Sequence, residues 1–168
     1  WSNGCAMAQR MAMESSHIFA AVGCMSFYLL MTPLNTYSPI PIMEVHGFLD
    51  QVVLYESSVL SVPTNPGAWI DPEAVQTGAI ENLYEWADLN GCTGLTPDYN
   101  DQQPLYSVQG FSNCENNSQV RLMTIFGAQH NPYAKDYPGE GPGMLLPGTQ
   151  GLVQSSYIVW DFLSQFSK

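Results

Sequence analysis

The chain has 168 residues, 45% of them hydrophobic and only 11% charged, a balance that excludes intrinsic disorder and suits one domain with its own core. No apolar run approaches the roughly 18 residues of a membrane-spanning helix. Four Lys/Arg against fifteen Asp/Glu leave a formal charge of −11, which repels phosphate backbones and anionic headgroups and makes nucleic acid and membrane poor partners.

In chain order, residues 5–14 (CAMAQRMAME) are small or apolar on nearly every side, which predicts a helix buried on more than one face. A short apolar run at 17–24 predicts a strand, and Pro33, Pro39 and Pro41 punctuate the loop after it. Residues 42–45 predict a second buried strand ending abruptly at His46-Gly47. The Ser-, Pro-, Gly- and Asn-rich stretch 56–74 reads as irregular surface. An amphipathic helix follows at 75–89, with Ala79, Leu83, Trp86 and Ala87 inward and Asn90-Gly91 as its stop. Residues 92–118 are polar, with a short strand at 105–108. Residues 120–126 predict a third strong strand. A long Gly- and Pro-rich loop at 127–151 then leads to a closing helix at about 152–166, whose inward stripe is Val159, Phe162, Leu163 and Phe166. This order predicts α/β packing around a parallel sheet. Three strands make a thin sheet, and one edge is left with uncovered backbone groups.

None of the four cysteines forms the Cys-x-x-Cys pair of a zinc or redox site, so two disulfides are expected rather than a metal. Four cysteines allow three pairings. Cys5–Cys24 with Cys92–Cys114 is preferred, because each closes a short loop and the predicted elements bring the first pair together. The sequon Asn116-Asn117-Ser118 agrees with a secretory route and an extracellular location.

Three short segments carry residues suited to chemistry. Trp1-Ser2-Asn3-Gly4 runs straight into the first helix and matches most of the strained G-x-S-x-G turn, whose small flanking residues expose a nucleophilic serine. A serine before a helix is also an ordinary cap. Asp50, in His46-Gly47-Phe48-Leu49-Asp50, follows a buried strand, where open α/β sheets build their sites; it could equally cap a turn. His130, in Gly127-Ala128-Gln129-His130, follows the last strand. Of the other two histidines, His17 reads as a surface residue and His46 as shaping the Asp50 turn. The order Ser, Asp, His is that of α/β-hydrolases and not of other serine hydrolase folds. It makes Ser2 the candidate nucleophile, Asp50 the orienting acid and His130 the general base.

The segments WSNG at 1–4, FAAV at 19–22 and HGFLDQVVLY at 46–55 resemble secreted esterases of the polyhydroxybutyrate depolymerase and feruloyl esterase (carbohydrate esterase) kind. The third is close to that family's HG-x-x-D-x-x-V-P-Y. EWADLNGC at 85–92, Cys114, VRLMTIFGAQH at 120–130 and VWDFLSQF at 159–166 extend the likeness over essentially the whole chain. Asn131-Pro132-Tyr133 departs from the family's Trp-Pro-Gly after the histidine, and Cys5 replaces its usual glycine. The resemblance implies that residues 1–168 are one partial α/β-hydrolase domain: the C-terminal half of a mostly parallel sheet with flanking helices. Further strands and a second oxyanion donor are expected upstream of Trp1, so that the isolated chain is expected to be inactive. It implies a serine carboxylic-ester hydrolase acting through Ser2, Asp50 and His130, with the Asn3 backbone N–H as one oxyanion donor and Trp1 and Tyr133 as candidate substrate walls. The substrate is a polyester, or a feruloyl or acetyl polysaccharide ester. No metal, organic cofactor or protein partner is called for. A serine peptidase of the same fold is the rival enzyme reading, disfavoured by Asn3 and the cysteines. A non-catalytic binding module is the other rival, disfavoured by the intact Ser2, Asp50 and His130.

Overall fold

The computed structural model describes residues 1–31, 34–56, 78–134 and 153–168. In chain order the elements are α1 (Asn3–Glu14), β1 (Val22–Met25), β2 (Ile42–Gly47), α2 (Ala79–Leu89), β3 (Tyr99–Gln102), β4 (Tyr106–Phe111), a 3-10 turn (Glu115–Asn117), β5 (Val120–Ile125) and α3 (Ser155–Leu163). The strands form one five-stranded sheet in the order β1-β2-β5-β4-β3. β1, β2 and β5 run parallel, whereas β4 pairs antiparallel with both β5 and β3. The fold is therefore α/β with a mixed sheet, where a mostly parallel one was expected.

β2 and β5 are buried at every position, as strands covered on both faces must be. Ile42, Val120 and Leu122 pack with Leu83 and Trp86 of α2 and Ala12 and Met13 of α1. Met43, Val45, Met123 and Ile125 pack on the other face with Val159 and Phe162 of α3. The approach of α3 is close: a Cβ on Gly23 of β1 would lie 2.5 Å from Val159 Cγ1.

Three differences from the sequence reading have physical causes. The apolar run at 17–24 is a strand only from Val22, because its first half closes α1: Ser15 N–H bonds the Met11 carbonyl, Ile18 N–H bonds the Ser15 carbonyl, and the Ile18 side chain is exposed. β2 continues through His46 and Gly47, where an end had been expected. In the polar stretch 92–118 the strand expected at 105–108 is β4, and it pairs as a hairpin with a strand that was not expected, β3. This outer strand is the sheet edge and is exposed at three of four positions, so it lacks the apolar alternation that would reveal it. Arg121, beneath Tyr99 at 4.1 Å from the ring centroid, donates to the carbonyls of Phe111 and Val120 and to the side chains of Ser112 and Gln119.

The inward faces of α2 and α3 agree with the sequence reading at Ala79, Leu83, Trp86, Ala87, Val159 and Phe162, all buried. The expected start of α2 at residue 75, most of the irregular stretch 56–74 and the loop beyond residue 134 lie outside the described residues. Both disulfides are present as preferred, Cys5–Cys24 joining the start of α1 to β1, and Cys92–Cys114 joining the end of α2 to the turn after β4. A buried glutamine adds to the first junction. Gln9 Nε2 donates to the Phe27 carbonyl at 2.8 Å, and its Oε1 accepts the Trp86 indole N–H at 2.7 Å. One side chain thus ties α1, α2 and the segment after β1.

Candidate active site

Three parallel strands end at the same rim of the sheet, and one of the expected residues lies beside the end of each. Ser2 sits beside the end of β1, its N–H bonded to the Met25 carbonyl at 2.8 Å. Its backbone has φ 56° and ψ −131°, a conformation uncommon for a residue with a Cβ and therefore a local strain. Ser2 stands at the N-cap of α1, yet its side chain makes no capping hydrogen bond. The hydroxyl points instead to His130, with Oγ 3.0 Å from Nε2.

Asp50 and His130 are brought together by the backbone. Beyond β2, Phe48 N–H bonds the Ile125 carbonyl and Leu49 N–H bonds the Ala128 carbonyl, which fastens the turn after β2 to the turn after β5. Asp50 then uses its two oxygens differently. Oδ1 accepts the N–H groups of Val52 and Val53 at 2.9 and 2.8 Å, and Oδ2 lies 2.7 Å from His130 Nδ1. The aspartate both caps a turn and orients a histidine. Because Oδ2 accepts, Nδ1 carries the proton and Nε2 is left as the acceptor facing the serine. Asp50 and His130 are each 3% exposed, so the hydrogen bond between them is shielded from competing water, while the one to Ser2 is partly buried.

Gly47 permits this approach. A Cβ there would lie 2.5 Å from the Ala128 carbonyl oxygen and 2.9 Å from that of Gln129, both backbone atoms that no rotamer can move aside. Gly47→Ala is expected to destabilise the protein by about 1–3 kcal/mol, the usual cost of overpacking, and to separate the Asp50 and His130 turns. A lowered urea midpoint together with slower reaction at Ser2 checks both effects.

Asn3 opens α1, and an N–H in the first turn has no acceptor within its own helix. The Trp1 ring lies 5.0 Å from that of His130 and is partly exposed. Tyr133, expected as a substrate wall, is 2% exposed. Its hydroxyl bonds Ser26 and accepts the Gly47 N–H at 2.8 Å. The difference lies in the turn after His130, where Asn131 Oδ1 accepts the Tyr133 N–H at 2.8 Å, Tyr133 takes a φ of 48°, and its ring lies inward. The tyrosine is a strut beneath the site. Of the 131–150 loop, also considered as a wall, residues beyond 134 lie outside the described residues.

Around the rim, Phe48, Leu49 and Val52 are each about half exposed on the turn that carries Asp50 (47%, 49% and 47%). Cavities lined by Met43, Arg121 and Phe162, and by Ser38, Asn116 and Lys168, contain none of Ser2, Asp50 and His130. Among the described residues, no group of three or more His, Cys, Asp or Glu is placed to hold a metal ion.

The chain resembles feruloyl esterase B of Piromyces equi. The two are 31% identical over 129 residues, which make up 77% of this chain and 18% of that protein. The chain thus spans less than a fifth of the length of this curated relative, and no family model matches it. The sequence signal for the rim lay in three short motifs. Glu44, Ser26 and Tyr28, which surround its base, carried no such signal; an acidic residue inside an otherwise apolar strand is the one cue that could have singled out Glu44.

Proposed function

We propose that this protein is a serine carboxylic-ester hydrolase of the α/β-hydrolase kind, with residues 1–168 belonging to one such domain. The supporting observation is the unbroken run from the Ser2 hydroxyl through His130 to Asp50, at 3.0 and 2.7 Å, with a serine that does not cap its helix.

In this reading His130 Nε2 takes the hydroxyl proton as Ser2 Oγ attacks the ester carbonyl carbon, and the carbonyl π electrons move onto oxygen. The Asn3 N–H is one donor to that oxyanion. Collapse of the tetrahedral adduct expels the alcohol, which receives its proton from His130, and leaves an acyl-serine. Water activated by the same imidazole then releases the acid. Asp50 holds the useful tautomer and balances the imidazolium in both steps.

The substrate we favour is an ester of a bulky apolar acid of the feruloyl type. The half-exposed Phe48, Leu49 and Val52, and Trp1 beside His130, offer apolar surface next to the serine, and the similar protein bears that activity in its name. The two disulfides are in keeping with an extracellular enzyme.

A fluorophosphonate probe tests the reading. The expected result is one covalent adduct on the peptide carrying Ser2, absent from Ser2→Ala. An adduct elsewhere, or none in the full-length protein, would refute it.

A further inference from the structure

Behind Asp50 lies a second imidazole that the acyl-transfer steps leave unused. His46 is fully buried in β2. Its Nε2 is 2.8 Å from the Val53 carbonyl oxygen, which can only accept, so this nitrogen carries a proton. Its Nδ1 is 2.9 Å from Glu44 Oε1, and that same oxygen accepts the Ser26 N–H at 3.1 Å. Burial pushes the Glu44 carboxyl above its ordinary value, while His46 and the backbone N–H groups of Ser26 and Phe27 draw it back down. With Oε1 accepting the Ser26 N–H, the geometry makes Nδ1 the donor there too. On the other side, Nε2 is 3.7 Å from Asp50 Oδ2, the atom that bonds His130.

Tyr28 stacks on the His46 ring at 5.7 Å and Tyr55 meets it edge-on at 5.8 Å. Both phenols are held above their ordinary range, chiefly by burial, and stay neutral. The charged groups that face His46 are therefore Glu44 from its own strand and Asp50 from the following turn, while Glu81 of α2 acts on Tyr28. Burial opposes a charge on His46. The Glu44 carboxylate and its hydrogen bond, together with Asp50 and the Val53 carbonyl, outweigh burial and hold the imidazole above its ordinary value.

We propose that His46 is a positioning residue for Asp50: an imidazolium locked between two buried carboxyl groups, which balances Asp50 and keeps its Oδ2 aimed at His130. The aim has a mechanical part as well. Asp50 Oδ1 takes the N–H of Val53 while His46 takes its carbonyl, so the two side chains clamp one residue from both sides. The inference rests on the esterase reading and assigns a supporting residue to it.

Nitrogen-15 NMR of the full-length, histidine-labelled protein reads the charge directly. Both ring nitrogens of His46 are expected to be protonated at neutral pH, and one to lose its proton in Glu44→Gln. A neutral His46 in the parent overturns the proposal. The second measurement is the rate of fluorophosphonate labelling at Ser2 against pH. His46→Gln keeps an N–H for Val53 but removes the cation, which leaves Asp50 unbalanced and lets the general base retain its proton to higher pH. The acidic limb should move up by about one pH unit, with Glu44→Gln moving it the same way. A lowered plateau with an unmoved limb in both variants means a merely structural role and overturns the proposal. Absence of any labelling in the parent refutes the esterase reading and the positioning role with it, while the NMR spectrum still reports the charge on His46.

Discussion

Asp50→Asn is expected to lower turnover of a short p-nitrophenyl ester by about 10⁴-fold while leaving the fold intact, the size seen when a triad aspartate is neutralised elsewhere. The geometry says why so conservative a change should cost so much. Asp50 Oδ1 is committed to two backbone N–H groups, those of Val52 and Val53, and only the amide oxygen of an asparagine can keep them. The NH₂ group must then occupy the place of Oδ2, 2.7 Å from His130 Nδ1, where it donates instead of accepting. His130 is driven to the opposite tautomer and presents an N–H, not a lone pair, to the Ser2 hydroxyl. The variant should keep its thermal midpoint within a few degrees and lose the chemistry. Steady-state kinetics beside a melting curve separate the two, and near-normal turnover in a folded Asp50→Asn protein would remove Asp50 from the mechanism.

Trp86→Ala should give the largest loss of stability, about 3–5 kcal/mol, or roughly a thousandfold in the folding equilibrium. The indole is 1% exposed and fills the centre of the core between α2 and the sheet. Removing it leaves a cavity and also strips the buried Gln9 Oε1 of its hydrogen bond. Trp86→Phe keeps most of the apolar contact but loses the N–H and part of the ring, so about 1–2 kcal/mol is expected for it. Urea denaturation of the three proteins, compared at equal slope, measures both figures. Equal losses for Phe and Ala would assign the whole effect to the hydrogen bond and none to packing.

How much of this was legible in the sequence varied with the kind of residue. Buried strands announced themselves where apolar residues dominate, as in Ile42–Gly47 and Val120–Ile125, which carry only Glu44, His46, Arg121 and Thr124 as polar members, because a strand covered on both faces needs no polar side. Tyr99–Gln102 could not do so. It is a solvent-facing edge, and its residues YNDQ read like any loop. The three rim residues were found from their order along the chain and from the elements they follow, information that survives in one dimension. Tyr133, a candidate wall by sequence, is buried, and the turn that carries it inward, with Asn131 Oδ1 accepting its N–H, has no mark in one dimension. The network of Glu44, His46 and Ser26 was out of reach for a different reason. Its members come from β2 and from the residue just after β1, and the register that joins them, Cys24 opposite Glu44 and Met25 opposite Val45, exists only once the sheet has formed.

The glutamine in α1 has a bearing on how the molecule breathes. Its amide holds the indole of α2 with one end and the carbonyl after β1 with the other, so neither helix can drift without breaking a buried hydrogen bond. Local opening should therefore involve both helices at once. The shelf on which the serine rests is then only as steady as a helix some eighty positions along the polypeptide, and a lesion far from the rim would be felt there as misalignment before any general collapse.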